Sequence, residues 1–279
     1  MKIIKTLKEL PKDMWIIAVS TLINRTGTMV IPFLALYLTS QLKLSASYAG
    51  FIITVYGLGA LVTAPFVGKL ADKVGAFTVI KLSLFFSGAM LLLYPHFTDY
   101  YLILGITFVW AIIGEAYRPA SLALIMEIVK PEQRKTAIAL NRLMINAGMS
   151  IGPVVAGFLT MISYSIIFYV DAATSILAAI FLIFYPIVQK IESTETDEKL
   201  SSHKLFVLKD TPFIIFLLAL LPASMVMFQH IGALPLYIVN GLGYTPAVFG
   251  LIAMVNTVLI ILIEVPLNAS MGKWAEKKS

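Results

Sequence analysis

Eight long apolar stretches follow one another along this chain with only short polar breaks between them. They run over 14–39, 46–67, 77–95, 100–128, 136–161, 164–188, 211–239 and 246–271. About 20 apolar residues in a helix cover the hydrocarbon core of a bilayer, and each stretch comes near that length or exceeds it. Lipid offers no partner to backbone N–H and C=O groups, so each crossing is expected to be a helix. The apolar–polar alternation of barrel strands is absent from these stretches. With 59% hydrophobic and 13% charged residues, the chain has too little polar surface for a globule in water. The expected fold class is an all-α integral membrane protein with eight transmembrane helices.

The net charge of +6 raises the question of a nucleic-acid partner, and the placement of the charges answers it. Basic residues gather before the first stretch (Lys2, Lys5, Lys8, Lys12) and after the second (Lys69, Lys73, Lys81). They gather again after the fourth (Lys130, Arg134, Lys135), the sixth (Lys190, Lys199, Lys204, Lys209) and the eighth (Lys273, Lys277, Lys278). All these breaks fall on one side of an eight-crossing path; only Lys43 falls on the other, and Arg25, Arg118 and Arg142 lie within stretches. Cytoplasmic loops concentrate Lys and Arg, so this side is expected to be cytoplasmic, both termini included. The basic charge then orients the chain in a lipid bilayer and implies no nucleic acid. The lysine-bearing start "MKIIKTLKELPKDMW" precedes an apolar run too long for a signal peptide, and is read as retained. The absence of cysteine excludes thiol chemistry and sulfur-ligated metal. No metal cluster, phosphate-binding loop or nucleophile arrangement is found, so neither an enzyme nor a cofactor is expected.

The phrase "GKLADKVG" (68–75) returns near the end as "GKWAEKK" (272–278). Sliding the chain by 200 residues sets Tyr37 on Tyr237, Leu42 on Leu242, Ser45 on Thr245, Gly50 on Gly250, Ile52 on Ile252 and Val55 on Val255. Four residues further, Gly68, Asp72 and Lys73 meet Gly272, Glu276 and Lys277. The seventh and eighth stretches thus repeat the first and second in the same orientation. Parallel repeats of this kind build transporters whose substrate path runs between the halves. The expected division is a six-helix N-terminal half over 1–188, a polar cytoplasmic linker over 189–210, and the first two helices of a second half over 211–279.

With these features in place, the chain resembles the major facilitator superfamily over its whole length. "GKLADKVG" is similar to the family's loop 2–3 signature at Gly68, Leu70, Asp72 and Gly75, with Lys73 in place of an arginine and Ala76 and Phe77 in place of a basic pair. "GMSIGPVVAGFL" (148–159) is similar to the helix 5 signature of the drug/proton antiporter branch, carried here by Gly148, Gly152, Pro153 and Gly157, with Ala156 as a departure. "GEAYRPA" (114–120) and "INRTGTMVIPFLALYL" in the first stretch look like the bacterial multidrug-type subgroup, although Thr107 stands where the helix 4 signature places an arginine. The resemblance implies a secondary transporter of the bacterial inner membrane that exports small, drug-like molecules against proton influx. It implies no fixed oligomer. It also implies twelve helices, so the eight seen here lead us to expect either a piece of a longer carrier or a natural truncation lacking helices 9 to 12. The alternatives are a non-transporting membrane scaffold, or a facilitator-type carrier for another solute.

Charges inside a bilayer are costly unless they are paired or face water, and they mark function. Glu115 and Arg118 are three residues apart on a helix and share a face. Asn24, Arg25, Glu115, Arg118 and Asn146 are expected to line a central cavity, with a structural clamp as the other reading of Arg118-Pro119. Asp171 and Glu264 are each read as a proton site or as a paired packing acid. Asp72 is read either as a latch onto the N-terminal end of an opposing helix or as a solvated turn, and the resemblance favours the latch. Gly148 and Gly152 make a small face that another helix can approach closely, and Pro153 bends its helix. In the resembled family this helix packs against helix 8. Phe, Tyr and Met side chains suit a lipophilic path or simple lipid-facing packing. His230, beside Gln229, is a weaker candidate for substrate contact.

Overall fold

A computed structural model describes residues 7–187 and 210–271, with side chains through Ile263. Among the described residues, eight helices are long and apolar enough to cross a membrane: α1 (Lys12–Gln41), α2 (Ala46–Val74), α3 (Ala76–His96), α4 (Tyr100–Ile128), α5 (Pro131–Thr160), α6 (Ser165–Phe184), α7 (Thr211–Gly241) and α8 (Pro246–Met271). No strand occurs among the described residues. The all-α, multi-pass membrane architecture is thus observed. The 29 residues of α2 span about 43 Å at 1.5 Å per residue, against a core of about 30 Å, so this helix must tilt or project beyond it.

Side chains start the helices and a glycine ends one of them. Ser45 accepts the Tyr48 N–H at 3.4 Å, Asp99 that of Leu102 at 3.0 Å, and Asp210 that of Phe213 at 3.2 Å, each satisfying a donor the helix leaves open. The "GKLADKVG" phrase differs from its expected form as a turn. The apolar run stops at Val67, but α2 continues to Val74, and Gly68, Asp72 and Lys73 occupy exposed positions on its last turns. Polar residues continue a helix readily once it has left the apolar layer. The helix ends where Gly75 takes φ 86°, a left-handed angle open to glycine at little cost, and α3 begins at the next residue. The repeated positions Gly272, Glu276 and Lys277 lie outside the described residues, as does the linker up to Lys209.

The repeat is visible in the backbone. Helix α1 is interrupted after Thr26, resumes at Val30 and ends in a π-turn over Tyr37–Gln41. Helix α7 is interrupted after Phe228, resumes at Ala233 and ends in a π-turn over Tyr237–Gly241. Leu44 N–H donates to Leu38 O at 3.0 Å, and Tyr244 N–H to Ile238 O at 3.1 Å. Lys43 and Gly243 hold the same left-handed position, with φ 58° and 73°.

The core of the six-helix unit is made where α1 packs on α5 and α6, α3 on α6, and α2 on α4. Phe33 on α1 meets Phe249 on α8 edge-on at 5.2 Å between ring centroids, which joins the first half to the repeat. The long part of α7, Thr211–Phe228, has no buried residue. Its apolar surface is left to lipid or to other helices.

Candidate functional site

The site is organised by breaks in two helices. The first lies in α1 at Gly27–Met29, between Lys12–Thr26 and Val30–Leu36. The second lies in α4 at Ala116, between Tyr100–Glu115 and Tyr117–Ile128. Each break sits beside polar or charged residues singled out from sequence: Asn24 and Arg25 precede the first, and Glu115 and Arg118 flank the second. Broken helices expose backbone polar groups at membrane depth, which lipid does not tolerate unless protein or water covers them.

Asp171 of α6 covers the α1 break. Its Oδ2 accepts the N–H groups of Met29 and Val30, both at 3.1 Å, and its side chain is buried. Its hydrogen-bond partners there are backbone N–H groups. Asn24 donates to Ser175 Oγ at 3.1 Å and is likewise buried at the α1–α6 contact, instead of lying open on a cavity wall. At Gly27 a side chain would run into Thr174 of α6, so only glycine fits.

Helix α5 closes the opposite side of the break. A Cβ on Gly148 would lie 2.5 Å from the Arg25 Cβ, and one on Gly152 would lie 3.0 Å from the Thr26 carbonyl oxygen. The Gly148–Gly152 face therefore receives α1. The contact with α8 is made further along α5: a Cβ on Gly157 would lie 2.8 Å from Ala247 Cα, and one on Gly250 of α8 would collide with the Pro153 carbonyl. Ser150 and Thr257 add a hydrogen bond at 2.9 Å across the same seam. The glycine motif thus serves two partners, one in each repeat.

At the second break, Arg118 Nε lies 3.4 Å from Glu115 Oε2, the paired face expected from their spacing. The Arg118 side chain is 66% exposed and that of Glu115 21%. Tyr56 of α2 donates its hydroxyl to Glu115 Oε1 at 2.7 Å, so both carboxylate oxygens are engaged. Arg25 crosses from α1 to α4, its guanidinium 5.4 Å from the centre of the Tyr117 ring. Its Nε is buried without a hydrogen-bond partner among the described residues. Tyr117 and Thr21 share a hydrogen bond at 2.7 Å, and Thr21 donates to Asn141 of α5 at 3.1 Å. Asn146, one helical turn beyond Arg142 on α5, is half-buried.

Arg25, Glu115 and Arg118 are therefore gathered around α1, α2 and α4, while Asn24 and Asp171 belong to the contact with α6. Thr107 is fully buried and bonded to the Tyr94 hydroxyl at 2.8 Å, inside the first half. The side chain of Glu264 lies outside the described residues. Tyr56, Tyr117, Thr21 and Asn141 were not singled out from sequence. A tyrosine in a membrane helix is a common residue, and only the crossing of α2 with α4 reveals that Tyr56 meets Glu115. No group of residues able to hold a metal ion occurs among those described.

With this geometry established, comparison with known proteins is informative. A sequence model described as "Major Facilitator Superfamily" matches residues 14–278. The chain is 24% identical over 271 residues to the "Uncharacterized MFS-type transporter YqjV" of Bacillus subtilis (strain 168), covering 94% of this chain and 66% of that one. It is 25% identical over 218 residues to "Quinolone resistance protein NorA" of Staphylococcus aureus (strain MSSA476), covering 78% of this chain and 56% of that one. The chain thus spans less than two thirds of the length of these curated relatives. Among solved structures, a D-xylose-proton symporter matches with a TM-score of 0.66 at 16% identity, over 93% of this chain and 68% of that one. This last likeness concerns the fold alone.

Proposed function

Because the chain belongs to the major facilitator superfamily, we propose that it provides the substrate-binding core of a secondary transporter that exports small lipophilic molecules by alternating access, driven by proton influx. Membership of this family sets it among carriers rather than enzymes. The observation that carries the reading is the seam along α5. Glycines there let backbone meet backbone, toward the broken α1 through Gly148 and Gly152 and toward α8 through Gly157. Contacts of this kind let packed helices slide or tilt without unlocking long side chains, as alternating access between repeats requires.

In this reading Arg25, Glu115, Arg118 and Asn146 face the substrate and proton path, and Glu115 carries the proton. The Tyr56 hydroxyl and the Arg118 guanidinium occupy both of its oxygens, so a substrate that displaces either would open that carboxylate to the path. Asp171 and Asn24 hold the α1 break; Glu264 is retained as a second acid on the path. The chain divides into a six-helix half (1–188), a linker (189–210) and the opening of a second half (211–279). It sits in the cytoplasmic membrane with both termini and the Gly75 joint on the cytoplasmic side. Asp72, exposed on the last turn of α2, is the latch toward the opposing half, and Gly272, Glu276 and Lys277 form its repeat.

The similarity to a protein named for quinolone resistance supports export, and the polar groups at two helix breaks support proton coupling. The test is dye movement in everted vesicles containing the chain, using lipophilic fluorophores of either charge. Uptake that collapses with a protonophore is the expected result. If no dye moves under a proton gradient, the transport reading fails.

A further inference from the structure

We infer that a groove between α2, α3 and α4 holds an anionic phospholipid, with an acyl chain along the groove and the head-group phosphate on Lys69 and Lys73. The inference needs the membrane architecture but not the transport reading, and its test involves no transport.

The groove has a volume of about 620 Å³, within the range of small-molecule sites. Its wall on α2 is a single helix face, since Val62, Phe66, Lys69 and Lys73 follow at intervals of four, three and four residues. From Val62 to Lys73 the helix rises about 16 Å, close to the roughly 15 Å depth of one leaflet's hydrocarbon. With Lys73 at the membrane surface, Val62 therefore lies near the midplane. The groove is apolar at its deep end, basic at its mouth, and bordered by exposed rings, Phe66 on α2 and Phe86 on α3.

The polar side chains of the wall narrow the choice of occupant. Thr63 donates its hydroxyl to the carbonyls of Gly59 at 2.8 Å and Ile112 at 3.2 Å, and Ser83 donates to that of Ile113 at 2.6 Å. Both hydroxyl protons are spent inside the protein. A sugar or a nucleotide would give up its water here for little in return, whereas a hydrocarbon chain gives up nothing. A chain that leaves the bilayer for the groove exchanges one apolar surrounding for another, so the head group decides which lipid stays. Lys69 and Lys73 are exposed, one turn apart, and held in no ion pair among the described residues. Asp72 does not line the groove, and Lys81 of α3 has its Nζ 4.6 Å from the centre of the Phe77 ring instead. Two ammonium groups at the mouth match a phosphodiester with a net negative charge; a choline head group cancels that charge with its own cation. Each lysine beside an anionic head group is worth about a five-fold preference, and the pair about thirty-fold.

The test is native mass spectrometry of the purified chain in dodecylmaltoside, titrated with phosphatidylglycerol or phosphatidylcholine of identical acyl chains. One phosphatidylglycerol should bind per chain ahead of any further lipid, and at least about ten-fold more tightly than phosphatidylcholine. K69Q/K73Q should remove that preference. K135Q, which alters an exposed lysine in the first turns of α5, should keep it. Val62→Trp fills the deep end from an exposed position and should weaken the first phosphatidylglycerol to the level of later ones. Equal binding of the two lipids overturns the inference and leaves an unselective lipid annulus. Equal losses in K135Q and K69Q/K73Q overturn it as diffuse charge attraction, and unchanged binding in V62W removes the groove as the seat. A dimer that excludes lipid assigns the groove to a second copy of the chain and overturns it as well. Should the double variant not fold, K69Q and K73Q are read singly, each expected to lose about five-fold of the preference.

Discussion

Gly148 faces Arg25 with no room for a methyl group between them, because a Cβ there would lie 2.5 Å from the Arg25 Cβ and 2.7 Å from its carbonyl carbon. Two of these atoms belong to backbone or sit next to it, so the clash cannot be relieved by turning a side chain. Gly148→Ala should therefore force α1 and α5 apart and lower stability by about 1–3 kcal/mol, the usual cost of overpacking. Gly105→Ala offers the control, since nothing lies within 4 Å of a Cβ there. Removing glycine from a helix interior should leave that variant as stable as the parent or up to about 1 kcal/mol more so. Thermal unfolding of the two variants in detergent is the measurement.

Removing the acid at the α1 break should cost more than changing its charge. Asp171→Ala strands the Met29 and Val30 N–H groups, each buried and each otherwise bonded at 3.1 Å. At about 1–3 kcal/mol per stranded group, the loss is comparable to the whole stability of a marginal protein. Asp171→Asn keeps an acceptor oxygen and should recover more than half of it. A melting temperature for Asn no higher than for Ala would remove the capping role.

The Tyr56–Glu115 hydrogen bond joins α2 to α4 beside the α4 kink. Tyr56→Phe should cost about 0.5–1.5 kcal/mol of stability. Because it frees Glu115 Oε1, it should also weaken the coupling between substrate and proton in the vesicle assay. Glu115→Gln should abolish proton-driven dye uptake while leaving dye binding to the purified chain measurable. A double-mutant cycle between the two positions should give a coupling of at least about 0.5 kcal/mol.

Lys43 adopts φ 58°, where its repeat counterpart is Gly243. A non-glycine residue there is held at a cost of about 1–2 kcal/mol, partly offset by its lower freedom in the unfolded chain. Lys43→Gly should therefore raise stability by about 0.5–1 kcal/mol, read from the same thermal assay. The reverse change, Gly243→Lys, should lower it.

The chain contains no cysteine, so single cysteines report topology without background. Ser45→Cys, at the start of α2, and Glu132→Cys, in the turn that opens α5, should label from opposite faces of right-side-out vesicles. Ser45→Cys is expected to react from outside and Glu132→Cys only after the membrane is opened. Reaction of both from one face would contradict the orientation drawn from the lysines.

Much of this architecture is legible in the order of residues, for a simple reason. Lipid selects helices by length and hydropathy alone, so apolar runs such as 100–128 appear as α4 with the same limits. The repeat is also legible, because the same turn needs the same residues: Tyr37, Leu42 and Ser45 recur as Tyr237, Leu242 and Thr245. The breaks at Gly27–Met29 and Ala116 are not legible, since the hydropathy does not change there. Polar groups of other helices meet them there, Asp171 at the first and Tyr56, bonded to Glu115, beside the second. Spacing alone paired Glu115 with Arg118, because both lie on one helix. It could not show that Asn24 faces Ser175, 151 positions away, or that one glycine motif would serve two neighbours.

The joint at Gly75 carries a mechanical consequence. One residue links α2 to α3, and it is at once the end of one helix and the start of the next. A connection with a single pair of soft dihedrals has no slack to absorb relative displacement. Whatever force reaches the exposed end of α2 at Asp72 must therefore be passed on, as torque, to α3 and through it to α6, against which α3 lies. Pulling on one corner of the molecule turns an entire hairpin, and the longer polar loops elsewhere leave their helices no such obligation.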